Sequence, residues 1–217
     1  MVLLHDIWQK IVEYFLNNKS EYFLALREHI VISLLALLVA GIVGIFFGYL
    51  SVKHNRYEKW INRLFQILRI IPSLAVLILL IPIMGTGIRP AMTALILLAL
   101  PPILMNTVTG FKSVPPFMLE TAEGLGMTEK QMLWSVKVPQ ALPYILTGIK
   151  IAAVEVIASA TLAAYIGGGG LGTIIFTGLG LNRTDLLLIG GVSVGLISIL
   201  AGILFSIMER RLFRYKY

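Results

Sequence analysis

The sequence contains no cysteine, which removes disulfide scaffolds, zinc ribbons, iron–sulfur ligation and thiol nucleophiles together. Histidine occurs three times, at His5, His29 and His54, without the spacing of a metal motif such as His-Glu-x-x-His. No Gly-x-x-x-x-Gly-Lys-Ser/Thr sequence occurs, so a P-loop of the chain's own is excluded, and with it ATP hydrolysis by this chain. Charge is scarce as well. Charged residues make up 13% of 217 positions, about half the ~25% of a soluble domain. What is plentiful is apolar surface: 58% of residues are hydrophobic and 20 more are glycine. One soluble core of this size cannot hide so much, because a small domain needs polar cover. The chain reads as a membrane protein.

Four charge-free runs, residues 30–52, 70–88, 90–111 and 186–208, hold 23, 19, 22 and 23 residues. Each meets the ~20 needed for a helix across a ~30 Å hydrocarbon layer. A fifth apolar stretch, residues 144–166, carries Lys150 and Glu155; Lys150 lies near one end, where it can snorkel. The expectation is an all-α membrane protein with five transmembrane helices. Orientation follows from the basic residues. Lys53, Arg56, Lys59, Arg63, Arg69, Lys112, Lys130, Lys137, Lys150, Arg210, Arg211, Arg214 and Lys216 fall on one side, thirteen of the 18. The positive-inside rule makes that side cytoplasmic, with the N-terminus out and the C-terminus in. The net charge of +7 therefore needs no nucleic-acid partner.

Residues 1–29 lack the basic start, apolar centre and small-residue cleavage site of a signal peptide. Leu4, Ile7, Trp8, Ile11 and Phe15 recur at helical spacing, so this external segment reads as an amphipathic helix on the outer leaflet. Residues 30–217 are expected to form the five-span domain. Its cytoplasmic loop, residues 112–143, is far longer than the usual ~2–8-residue helix connection and for that reason points to function. Residues 119–125 predict a short helix with Glu120 in its first turn, and Gly124 and Gly126 offer the left-handed conformation to end it. Thr128 and Gln131 have the spacing of a capping box opening a second helix. Pro139 and Pro143 are expected to stop that helix and return the chain to the bilayer. A projecting unit of this kind is shaped to be held by another protein.

The pattern Glu120-Thr121-Ala122, Gly126, Val136, Val138-Pro139 resembles the EAA loop of bacterial ABC-importer permeases, whose minimal core also has five spans with this loop between the third and fourth. Thr121 stands where the family has Ala, and Val136 and Val138 where it has Ile and Leu. The resemblance implies the MetI-like permease fold, with Glu120, Thr121, Ala122, Glu123, Gly124, Leu125 and Gly126 forming the coupling helix seated in a groove of a cytosolic ATPase. Three further segments are similar to the osmoprotectant branch, which serves glycine betaine, carnitine and choline: Ile71-Pro72-Ser73-Leu74-Ala75, Asn106-Thr107-Val108-Thr109-Gly110, and residues 160–172. The likeness implies location in the bacterial cytoplasmic membrane, a dimeric ABC ATPase that binds ATP and magnesium, a second permease subunit (identical or paralogous) and a separate extracellular or periplasmic substrate-binding protein. No cofactor is expected in the chain itself. Import of ergothioneine or an amino acid is the neighbouring alternative.

Other motifs have plainer readings. Gly167-x-Gly169-x-x-Gly172 has dinucleotide-fingerprint spacing but follows a membrane span rather than a strand, so its glycines are read as an outer turn that packs closely against neighbouring helices. Gly44-x-x-x-Gly48 and Gly191-x-x-x-Gly195 are helix-packing signals, read first as contacts within the subunit. Glu155 sits inside a span, where a carboxylate costs ~2.5–3.5 kcal/mol on insertion scales and needs a polar setting or a partner. It is either a pathway residue or a structural pair with Arg69 or a backbone group. Asn106 and Thr161 are the other translocation-path candidates; Asn106 can equally bridge two helices through its amide. An ion-driven secondary transporter using Glu155, and a membrane anchor that only recruits a cytosolic protein, are the rival readings from other classes.

Overall fold

The computed structural model describes residues 2–53 and 55–213. The chain is helical almost throughout. An arm, α1 (Val2–Asn17), precedes a 35-residue helix, α2 (Lys19–Lys53). Then come α3 (Asn55–Ile70), α4 (Ser73–Met84) and α5 (Ile88–Lys112), followed by α6 (Pro116–Gly124) and α7 (Glu129–Met132). A π-helical turn (Leu133–Lys137) leads into α8 (Val138–Ala163), and α9 (Gly172–Gly180) and α10 (Thr184–Leu212) complete the chain. Among the described residues four helical segments are long and apolar enough to cross a membrane: α2, α5, the run from α7 through α8, and α10.

The second charge-free run behaves differently from the expectation. Residues 70–88 do not form one helix, because α3 and α4 meet at an angle of 99°. Pro72 has no amide hydrogen and pushes Ile71 out of the helical region, so the helix breaks there. Gly85 and Gly87, with φ of 75° and 116°, end α4 after 12 residues, or about 18 Å of rise. That is short of a ~30 Å hydrocarbon layer. Only α3 and α4 together supply the length of a span.

The α5 helix is the centre of the bundle. Ala91, Ala94, Leu95, Ala99, Ile103 and Leu104 on it are fully buried, and α2, α4 and α8 pack around it in one apolar cluster. Two of the sequence glycines make this approach possible. A Cβ at Gly44 would lie 2.9 Å from the Ile103 side chain, and one at Gly48 would lie 2.7 Å from Thr107. The intrachain reading therefore holds for Gly44 and Gly48. It does not hold for Gly191 and Gly195, whose missing side chains face open space.

A second cluster joins α1 to the body, where Ile11, Tyr14 and Phe15 pack with Tyr22, Leu171, Leu186 and Ile189. The amphipathic arm thus lays one face on the protein and leaves Trp8, 64% exposed, outside. The chain runs unbroken through Ile30, since α2 begins at Lys19. Hydrogen bonds and ring contacts sort the helix ends. The amide of Gly87 donates to the Ile166 carbonyl and that of Gly170 to Glu28, which gathers the start of α2, the start of α5 and the glycine turn at one end. Tyr49 stacks near Phe111 at 5.2 Å, and Thr147 donates to Glu209 at 3.3 Å. The ends of α2, α5 and α10 thus collect with α6 and the start of α8 at the other.

Candidate functional site

The loop at residues 112–143 folds into a compact helical unit. Pro116 occupies the first position of α6, where its fixed φ is already helical and its missing N–H is not needed. The helix therefore starts three residues earlier than the predicted 119 and places Glu120 in the second turn. Its end is a Schellman arrangement: Met127 N–H donates to Ala122 O at 3.1 Å and Gly126 N–H to Glu123 O at 2.9 Å. Gly126 carries the left-handed conformation, with φ of 74°, whereas Gly124 is the last helical residue. The predicted capping box is present. Thr128 N–H donates to Gln131 Oε1 at 2.9 Å, and Gln131 N–H to Thr128 Oγ1 at 3.3 Å.

The prolines after it do not stop the helix, contrary to the expectation for Pro139 and Pro143. The helix widens over Leu133–Lys137, with Val138 N–H donating to Leu133 O, five residues back. An extra residue per turn moves carbonyls away from the ring of Pro139, where an α-helix would set the ring against the carbonyl four residues earlier. The chain then enters α8 directly, and Pro143 lies inside it. The loop and the following span are one continuous lever.

Ala122 is the inward residue of α6, at 3% exposure. The helix lies against α7 and the π-helical turn. Glu120, Thr121, Glu123, Gly124, Leu125 and Gly126 are all exposed. Thr121 Oγ1 donates back to the Phe117 carbonyl at 2.7 Å. Phe117, Leu125 and Trp134 add exposed apolar area of 66%, 73% and 63% beside the two carboxylates. Acidic side chains framed by large apolar ones form a surface suited to a protein groove rather than to solvent.

The three candidates inside the bundle do not converge, and no hydrogen bond links them. Asn106 sits where α5 meets α8, under Gly148, whose absent Cβ would lie 2.8 Å from that of Asn106. Its amide donates within α5 to the Pro102 carbonyl at 2.8 Å. Thr161 lies near the far end of α8. Its hydroxyl is buried without a partner among the described residues, and its carbonyl presses on Gly172, where a Cβ would come within 2.1 Å. Glu155 is half-buried on the same stripe of α8 as the exposed Tyr144, Ile151 and Ala158. Arg69 on α3 is the cation whose field reaches it, without a direct ion pair. Among the described residues Tyr144, Ile151 and Ala158 of this stripe are left exposed.

The glycine turn, by contrast, is tightly held, and the residues that hold it were not singled out by sequence. Glu28 Oε2 accepts the Gly170 amide at 3.0 Å. His29 is fully buried beneath Gly170, and its Nε2 donates to the Ile157 carbonyl at 3.0 Å. Gly167, Gly169 and Gly170 all have positive φ, which only glycine adopts at no cost. Read in the sequence, Glu28 and His29 were one charge at a span boundary and one scattered histidine; no local signal connects them to residue 170.

The chain matches the family described as "Binding-protein-dependent transport system inner membrane component" over residues 40–214. It is 38% identical to the carnitine transport permease protein of Listeria monocytogenes, over 93% of each chain. It is 36% identical to the choline transport system permease protein of Bacillus subtilis, again over 93% of each. Among solved structures it resembles the MetNI methionine ABC transporter in an inward-facing conformation, with a TM-score of 0.78 at 20% identity, covering 88% of this chain and 95% of that one. An amino acid ABC transporter solved with histidines gives a TM-score of 0.75 at 19% identity, covering 94% and 97%. Similarity at that level of identity is similarity of fold.

Proposed function

Because the chain belongs to the family of binding-protein-dependent transport system inner membrane components, we propose that it is the membrane permease of an ATP-driven importer for a quaternary-amine osmoprotectant, of the kind represented by carnitine, choline and glycine betaine. The observation that carries the substrate class is the run of relatives named for these solutes, 31–38% identical over at least 90% of this chain. In this reading the chain crosses the bacterial cytoplasmic membrane five times, N-terminus out and C-terminus in, with α3 and α4 together as the second crossing. The sorting of helix ends described above supports it, since α2 and α5 start at the same end and need a return between them.

The mechanism follows from the lever. A cytosolic ATPase, which binds the ATP and magnesium, grips α6 through Glu120, Glu123, Phe117 and Leu125. Ala122 and the capping box transmit that movement to α7, and the unbroken helix carries it into α8 as a rigid-body shift. α8 bears the uncovered stripe with Glu155. One copy cannot enclose a pathway with that stripe open, so a second permease subunit faces it across a two-fold or pseudo-two-fold axis. Substrate arrives from a separate binding protein at the opposite end, beside the glycine turn. Glu155 is then a pathway residue.

A pull-down from mild detergent, with ATPase assays and mass spectrometry of the eluate, tests the proposal. The expected result is a co-purifying P-loop ATPase that is lost on Glu120→Arg. A chain that purifies alone and moves substrate into liposomes under an ion gradient overturns it, and the pathway would then belong to an ion-driven carrier.

A further inference from the structure

Between α8 and α10, at the end that also holds α6, lies a groove of about 400 Å³. Its floor is Gly202, where the nearest atom to an added Cβ would be a Val154 methyl at 3.9 Å. Its wall is aliphatic: Ile199, Ile203 and Ile207, on successive turns of α10, are 60%, 51% and 45% exposed. Two cations, Lys150 and Arg210, close its charged end. Among the described residues neither has a carboxylate within 4 Å. Glu209, beside Arg210 in sequence, accepts from the Thr147 hydroxyl. Ser206 donates to the Gly202 carbonyl at 2.8 Å, which leaves its oxygen able to accept from a ligand hydroxyl.

A lysine on a spanning helix is costly unless its charge is met, and among the described residues no carboxylate forms an ion pair with Lys150. The groove therefore has the polarity profile of a phospholipid in place: an aliphatic length along two membrane helices, then two positive charges and one acceptor where the headgroup would sit. Basic pockets between transmembrane helices are a known way of holding anionic headgroups. We propose that this groove binds one anionic phospholipid, with an acyl chain along Ile199, Ile203 and Ile207, the phosphate between Lys150 and Arg210, and a headgroup hydroxyl on Ser206. A glycerol headgroup fits these three contacts, and a zwitterionic choline headgroup does not, because its trimethylammonium cannot donate to Ser206 and is repelled by both cations. The site is separate from the coupling surface and from the stripe bearing Glu155.

The test is native mass spectrometry of the chain with whatever co-purifies, offered phosphatidylglycerol and phosphatidylcholine of the same acyl composition. Wild type should retain one phosphatidylglycerol in preference to phosphatidylcholine. The double variant Lys150→Gln/Arg210→Gln should weaken that retention about 25-fold, since each cation near an anionic headgroup contributes a factor of about five. Lys130→Gln, on α7, should leave it unchanged. Ile203→Trp keeps both charges and fills the groove, and it should displace the lipid as well, so the proposal does not depend on the double variant folding. Equal retention of the two lipids, or wild-type retention by both groove variants, overturns it. Competition by millimolar inorganic phosphate as effective as that by phosphatidylglycerol would make this a simple anion site, and also overturns it. So does a disulfide between two copies carrying Ile203→Cys in this cysteine-free chain, which would show that a second copy covers the groove.

Discussion

Two glycines two residues apart at the end of α6 should respond to alanine with opposite signs. Gly124 is helical and exposed, and an added Cβ would meet nothing within 4 Å. Alanine there removes backbone freedom from the disordered state and should stabilise the last turn of α6 by about 0.5–1 kcal/mol. Gly126 also has open space around it, so sterics with neighbours do not enter; its φ of 74° does. Alanine at that backbone conformation costs about 1–2 kcal/mol. With nine residues, α6 is shorter than the ~12–15 at which an isolated helix is even marginal, so its order depends on its two end bonds and on Ala122. A penalty of that size lowers the closed-to-open ratio of the Schellman turn roughly 5–30-fold. Hydrogen-exchange mass spectrometry on the assembled transporter should show faster exchange over residues 119–127 for Gly126→Ala and slower exchange for Gly124→Ala. Substrate-stimulated ATPase activity should fall for the first and persist for the second. The melting temperature of the bundle should stay the same in both. If the two substitutions shift exchange in the same direction, the assignment of the left-handed position to Gly126 is wrong.

Gly48→Ala should lower the melting temperature in detergent, because its Cβ would overlap Thr107 and press on the Leu104 carbonyl at 3.1 Å, an overpacking worth about 1–3 kcal/mol; Gly191→Ala, a helical position facing open space, should not lower it. Glu155→Gln should reduce transport while the chain still assembles and elutes as wild type, and loss of folded protein instead would assign Glu155 a structural role. Glu28→Ala removes the carboxylate that accepts the Gly170 amide and should loosen the glycine turn, read as increased exchange at residues 167–172; unchanged exchange would mean the turn holds itself.

Much of the loop at residues 112–143 was legible in the sequence because its signals are local. A capping box needs Thr128 and Gln131 on one turn, and a Schellman end needs a glycine one residue past the cap; both follow from short-range geometry. The expectation for Pro139 and Pro143 came from treating proline as a stop, when a π-helical turn just before Pro139 relieves the clash; the helix start, expected at 119, was set instead by Pro116. The run at residues 70–88 shows the opposite limit. Composition alone made it a span, yet Pro72 divides it and Gly85 shortens it, and a hydropathy count does not see a 99° bend.

By itself, then, the sequence determined that the chain lives in a membrane, which segments are apolar enough to cross it, and that a short helix ending near Gly124 and a capping box at Thr128 and Gln131 lie in the loop at residues 112–143. These properties depend on composition and on contacts a few residues apart. Only the tertiary structure decided that Gly44 and Gly48 are packing positions while Gly191 and Gly195 are not. The same holds for the placement of Glu28 and His29 against a turn more than 140 residues away in sequence, and for the open stripe of α8 that carries Glu155. Such facts depend on which helix lies next to which. Within a bilayer every span is apolar on all sides, so the sequence carries no strong periodic mark of its neighbours.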